Sequence, residues 1–151
     1  MGGDGSYIKE EIIVEKPADE TTTNDNTINN DSNLLVSLDA NSHYYFEVNA
    51  GAVWGAGFIQ IDMNGPAGYT RLYYSMEIKL SGIVPVTQPT TIYAAAISTA
   101  AGSGGNISIR GTVLNVNAGT LNFRWAQNVS NAAATTVRAG STLLLRRISP
   151  T

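Results

Sequence analysis

Few side chains in this sequence are of types that do chemistry, and their spacing decides what they could do. His43 is the only histidine, and it stands before Tyr44-Tyr45-Phe46 at the start of a strand-like run. One imidazole without partners cannot hold a metal ion, and no carboxylate pair lies at ligand spacing around it. A capping or surface role is expected. Asp62 and Glu77 fall on the polar faces of two separate strand-like segments. Two carboxylates about 5–10 Å apart could act as a glycosidase pair. Most other acids, however, lie near the N-terminus, and serine is nowhere set in a nucleophile-elbow pattern. With no cysteine in the chain, a disulfide framework, a thiolate metal site and a thiol nucleophile are excluded. The residues therefore point to a non-enzymatic protein with no catalytic set, no metal site and no cofactor.

Aromatic residues are the next candidates. Gly51-Ala52-Val53-Trp54-Gly55-Ala56-Gly57 is glycine-dense, but no helix pattern follows it to make a phosphate-binding loop. It reads as a flexible strand connection with Trp54 anchored in a crevice; the competing reading has Trp54 exposed to stack on a sugar or a partner subunit. Neighbours on a strand point to opposite faces, so one member of each pair Tyr44-Tyr45 and Tyr73-Tyr74 belongs outside. Outward tyrosines supply rigid contact area. Trp54, Tyr45 and Tyr74 are accordingly the candidate interface or glycan contacts. By the same alternation, Arg146 and Arg147 face opposite ways. Asn106-Ile107-Ser108 and Asn128-Val129-Ser130 match the glycosylation pattern. The N-terminal Met1-Gly2-Gly3-Asp4-Gly5 has neither the basic nor the apolar region of a secretory leader, so both matches read as chance.

The elements that must position these residues are strands. Leu34, Val36 and Leu38 alternate with Leu35 and Ser37, and Tyr44, Phe46 and Val48 with Tyr45, Glu47 and Asn49. Ile59, Ile61 and Met63 repeat the pattern, as do Leu121, Phe123 and Trp125. Period two is the signature of half-buried strands. Less regular strands are expected at 72–80, 90–97, 107–116 and 142–148. Turn chemistry separates them, as at Asp39-Ala40-Asn41-Ser42 and Asn64-Gly65-Pro66-Ala67-Gly68. Ala132 to Val137 could form a helical turn, though Thr135, Thr136 and Val137 disfavour a longer helix. About eight strands at spacings of about 8–12 residues predict an all-β sandwich or jelly roll over residues 34–151.

Residues 1–33 read differently. Tyr7, Ile8, Ile12, Ile13 and Val14 make a short strand, and Asp19 to Asn33 then holds a single large apolar residue, Ile28. Such a stretch cannot bury enough surface to fold alone. The segment is expected to be an N-terminal arm and polar connector, with Tyr7, Ile8, Ile12, Ile13 and Val14 available to add a strand to a neighbouring subunit's sheet. The alternative is that this strand is simply the first of its own domain.

Composition bounds the partners. Charged residues make up 14% of the 151-residue chain, against about 25% in typical domains. A surface of neutral polar residues carries little charge repulsion and suits a protein packed against neighbours. The net charge of −3 is the wrong sign for nucleic acid. No apolar run approaches the roughly 18 residues of a membrane helix.

Four C-terminal segments carry a resemblance: Ile109-Arg110-Gly111-Thr112-Val113, Ala118-Gly119-Thr120-Leu121, Phe123-Arg124-Trp125-Ala126-Gln127-Asn128 and Thr135-Thr136-Val137-Arg138-Ala139-Gly140-Ser141. With Lys16-Pro17-Ala18-Asp19-Glu20-Thr21 and Gly65-Pro66-Ala67-Gly68 upstream, they resemble small β-sandwich structural proteins of tailed bacteriophages, either decoration (cement) proteins or parts of tail appendages. The resemblance implies a small, trimeric β-sandwich virion component and supplies no catalytic residues. A homotrimer on the capsid exterior, with the major capsid protein as partner, is the expectation. Bridging of neighbouring capsomers is the leading expectation. A receptor- or glycan-binding module of a tail fibre or spike is the alternative.

Overall fold

Alternation of buried and more exposed side chains runs through most long strands of the computed structural model, which describes residues 10–80, 86–88, 97–98, 104–115 and 117–150. Twelve strands follow in order: β1 (Glu11–Glu15), β2 (Glu20–Thr22), β3 (Asn29–Leu38), β4 (Ser42–Trp54), β5 (Gln60–Asn64), β6 (Tyr69–Leu80), β7 (Val86–Gln88), β8 (Ile97–Ser98), β9 (Gly104–Asn115), β10 (Gly119–Ala126), β11 (Thr135–Val137) and β12 (Thr142–Pro150). Every pairing is antiparallel. Among the described residues there is no helix.

The strands form two sheets. The larger runs β1-β12-β4-β9-β6-β7, and β11 and β2 extend it beside the far half of β4. The smaller runs β3-β10-β5-β8. Thirteen-residue β4 organises the larger sheet. Its first half pairs with β12, its last three residues pair with β11, and β9 lies along its other side. The even-numbered residues of β4 are buried from end to end, including Phe46, Val48 and Trp54. Leu34, Ile61, Met63 and Phe123 from the smaller sheet join Val48, Ile109, Leu143 and Leu145 from the larger in one core cluster. The architecture is thus an all-β, sandwich-like pair of antiparallel sheets.

Gly111 shows how tightly that core is fitted. It lies on the inward face of β9 opposite Phe46 and Tyr74. A Cβ placed there would come within 2.6 Å of the Tyr74 Cβ and 2.8 Å of the Phe46 ring. A glycine lets the two aromatic rings approach to 6.4 Å between centroids.

The N-terminal segment differs from the expected arm. Glu11–Glu15 lies in register on β12 of the same molecule, from Glu11 opposite Arg146 to Glu15 opposite Thr142. The expected polar connector carries β2, paired with β11, and the first half of β3, paired with β10. A boundary at residue 33 therefore falls inside β3. Main-chain pairing and buried polar contacts do here what apolar side chains do elsewhere. The helical turn considered for Ala132–Val137 is instead loop followed by β11, which inserts between β4 and β2. The strand expected at 90–97 lies almost wholly outside the described residues, as do Tyr7 and Ile8.

Candidate interaction face

The outer face of the larger sheet is built row by row from strand register. One row reads Glu11, Arg146, Tyr45, Thr112, Tyr73 across β1, β12, β4, β9 and β6. The next reads Ile13, Leu144, Glu47, Arg110, Ser75, and a third Glu15, Thr142, Asn49, Ser108, Glu77. All point away from the core, because their strand neighbours point into it. The face is wide, runs across five strands, and mixes apolar, aromatic and charged groups.

Glu47 lies at its centre. Its carboxylate accepts hydrogen bonds from the Tyr45 hydroxyl at 3.0 Å and the Asn49 amide at 2.9 Å, and Arg110 Nε lies 3.6 Å away. These contacts, led by the Asn49 hydrogen bond, hold the Glu47 carboxyl below its ordinary pKa. Tyr45 moves the other way: partial burial and the neighbouring carboxylate raise its phenol. Arg146 forks onto Glu11 in the same face. Charges are thus paired within the plane, which leaves contact area without a strong field.

Of the candidate contact residues, only Tyr45 stands on this face. Trp54 is 1% exposed and belongs to the core, so no sugar or partner can stack on it. The glycine-dense segment is not a connection where Trp54 lies; β4 continues through Gly51 and carries Trp54 inward on the even-numbered side. Tyr74 is likewise buried at 4% exposure, and its partner Tyr73 is the outward member of the pair. Burial raises the Tyr74 phenol, opposed by the nearby Met63 backbone, and the hydroxyl makes no well-aligned hydrogen bond. Of the arm residues, Ile13 projects onto the outer face at 60% exposure, Ile12 is partly exposed, and Val14 packs against the core.

The acids considered for catalysis are kept apart. Asp62 lies on the outer side of the smaller sheet and Glu77 on the outer side of the larger, so the core separates them. Both Asp62 oxygens are taken by Arg124, which forks across from β10 at 2.7 and 2.5 Å. His43 sits at the start of β4, opposite Leu114. Arg147 turns back over the Tyr44 ring, 5.9 Å from its centroid, and reaches Ser42 and Asp39. The opposite facing of Arg146 and Arg147 is as the alternation requires.

Sequence reasoning missed a second site, at the junction of the two sheets. Lys16 follows β1, and its backbone is pinned to the turn before β12 through Ser141 and Gly140. Its side chain is fully buried and ends 2.9 Å from both oxygens of Asp31, itself fully buried on β3. Glu20 Oε2 lies 2.5 Å from the same Nζ and also engages Ser32. Asp31 Oδ1 accepts the backbone N–H groups of Asn33 and Leu34, each at 2.9 Å, and Oδ2 accepts Trp125 Nε1 at 3.0 Å. The cause is a break in β3–β10 pairing: Asn122 faces Leu35, but Arg124 faces Asn30. The excursion turns Asp31 inward and frees the two amides it binds. A polar recess of about 160 Å³ beside this cluster is lined by Asn29, Asn30, Asp25 and Thr27, with Trp125 at its base.

No protein-family model matches this chain, and no curated protein matches it.

Proposed function

We propose that this chain is a structural, non-enzymatic virion protein: a decoration, or cement, protein on the exterior of a tailed-phage head, acting as a homotrimer that bridges copies of the major capsid protein. The observation that carries this reading is the outer face of the larger sheet. It spreads Tyr45, Tyr73, Ile13 and Leu144 over four of its five strands and pairs its own charges in the plane. A surface of that kind gains from apolar area removed from water, about 25 cal/mol per Å², and multiplies a small gain over many symmetric copies. β1 adds a sheet edge with Ile12 and Ile13 exposed, where a neighbour's strand could pair. The sandwich is further read as a jelly roll from its many short strands separated by turn residues.

The alternative, a glycan-binding tail module, loses two of its three proposed contacts with the burial of Trp54 and Tyr74. What favours it is the polar recess near Trp125, although the indole is only 5% exposed and offers little stacking surface.

Copy number separates the two. Purified particles of the encoding phage should carry the protein in hundreds of copies by quantified gel, and Tyr45→Ala combined with Ile13→Asp should lower occupancy on heads without unfolding the chain. A count of a few copies per particle, with label confined to the tail, overturns the capsid reading.

A further inference from the structure

The buried Lys16–Asp31–Glu20 cluster is arranged for more than an ion pair. We propose that Lys16 and Asp31 condense into an intramolecular amide, an isopeptide bond joining the strand junction after β1 to β3, with Glu20 as the proton carrier. This is independent of the assembly role proposed above.

Four features support it. First, the nucleophile is in hydrogen-bond contact with the carboxyl group it would attack: Nζ lies 2.9 Å from both Asp31 oxygens, and both side chains are fully buried. Reactants held this way can have effective molarities of roughly 10⁵–10⁸ M. Second, Asp31 Oδ1 already faces two backbone donors, the amides of Asn33 and Leu34. These are the contacts that would hold an oxyanion in a tetrahedral intermediate. Third, Glu20 lies against the nitrogen that must lose protons. Fourth, the reacting Lys16 and Asp31 side chains are fully buried, while the part-exposed Glu20 and the recess it lines give the water formed a way out. A neutral amide also removes the desolvation cost of a buried ammonium and carboxylate.

The step balances without any co-reactant. A proton passes from the Lys16 ammonium to Asp31 Oδ2 along their hydrogen bond, giving an amine and a carboxylic acid. The amine lone pair attacks Cγ, and the carbonyl π pair moves onto Oδ1, where Asn33 and Leu34 donate to it. Glu20 takes a second proton from nitrogen and returns one to the Oδ2 hydroxyl, to which Trp125 Nε1 already donates. The C–O bond breaks, water leaves, and the carbonyl re-forms. One proton stays on the amide nitrogen, and Glu20 ends as it began. The reaction is a condensation with no oxidation or reduction.

The product would tie the two sheets together covalently. Lys16 is hydrogen-bonded to the β11–β12 turn of the larger sheet, whereas Asp31 belongs to the smaller.

Intact mass of the purified full-length protein is the test. The folded wild-type chain should be lighter than its sequence mass by one water. Digestion under denaturing conditions on the carboxyl side of glutamate should leave the fragment ending at Glu20 joined to the fragment beginning at Thr21. Glu20→Gln should keep the strand content by circular dichroism but retain the full sequence mass, and Asp31→Asn should lose one ammonia in place of water if it reacts. Folded wild-type protein that keeps its full mass after long incubation overturns the proposal, as does a linkage mapped to any other pair. A Glu20→Gln protein that still links removes Glu20 from the role given to it. The wild-type measurement stands even if a Lys16 variant fails to fold.

Discussion

Two ion-pair systems in this molecule use the same kinds of residues and do opposite work. On the outer face of the larger sheet, Glu47 meets Arg110, Tyr45 and Asn49 in water. At the junction of the sheets, Asp31 meets Lys16, Trp125 and two backbone amides in the dry interior. Outside, each charge can be resolvated if its partner leaves, so the pairing tunes a surface and fixes little. Inside, no group can leave without stranding another, so the pairing fixes one geometry. Polar sequence thereby organises a region that apolar sequence does not reach.

The comparison breaks most sharply at Asp31. Asp31→Ala leaves the Lys16 ammonium with only Glu20 and a longer contact to Asn33 Oδ1, and leaves the Asn33 and Leu34 amides without their acceptor. Loss of one partner of a buried pair destabilises by about 3–5 kcal/mol; chemical denaturation should show at least that loss, and a larger one where the wild-type chain carries the Lys16–Asp31 amide. A loss under about 1 kcal/mol would mean that the interior network does not govern this region. Trp125→Phe is the milder form of the same test. It keeps most of the apolar volume and removes one donor to a buried carboxylate, so about 1–2 kcal/mol should be lost.

How much of this was legible beforehand follows from the same contrast. Wherever one face is buried and the other wet, period-two alternation located the strand, as at Leu34–Leu38, Tyr44–Val48 and Leu121–Trp125. Trp54 could have been placed by extending that parity, because Ala50, Ala52 and Trp54 continue the even-numbered buried side of β4. The glycines around it drew attention to turns. Parity alone could not say which of Tyr73 and Tyr74 faces in, since the choice depends on the register against Thr112 and Gly111. Asp31 was out of reach for a different reason. It lies in a polar stretch where hydrophobic pattern carries no information, and its side-chain partners come from residues 16 and 125, brought together at the break in β3 pairing.

Tyr74 gives an intermediate case: buried like Asp31, but uncharged at neutral pH. Its phenol is raised above 10.0, first by burial. A raised folded pKa means that stability is fully present below the unfolded value and declines as pH rises through the window above 10. Tyr74→Phe should remove that part of the alkaline loss. Because it also deletes a buried hydroxyl that lacks a well-aligned partner, it should cost little at pH 7. An alkaline unfolding curve unchanged by the substitution would assign the transition to other groups.

The smallest effect belongs to the outer face. The Glu47 carboxyl is held below 4.5, chiefly by the Asn49 hydrogen bond, with Tyr45 and Arg110 assisting. A depressed folded pKa contributes stability that is present above the unfolded value and is lost as pH falls through the folded one. The contribution should therefore fade below about pH 4.5, and Glu47→Gln should flatten stability against pH in that acid window. At neutral pH, Arg110→Ala should shift stability by no more than about 1 kcal/mol, because the guanidinium is well exposed and Glu47 keeps its other two donors. Equilibrium denaturation at pH 7 and pH 3.5 on the two variants measures both. If Arg110→Ala proved as damaging as Asp31→Ala, the outer pairs would be structural supports, and the face would not be the adaptable contact surface that the proposed assembly role requires.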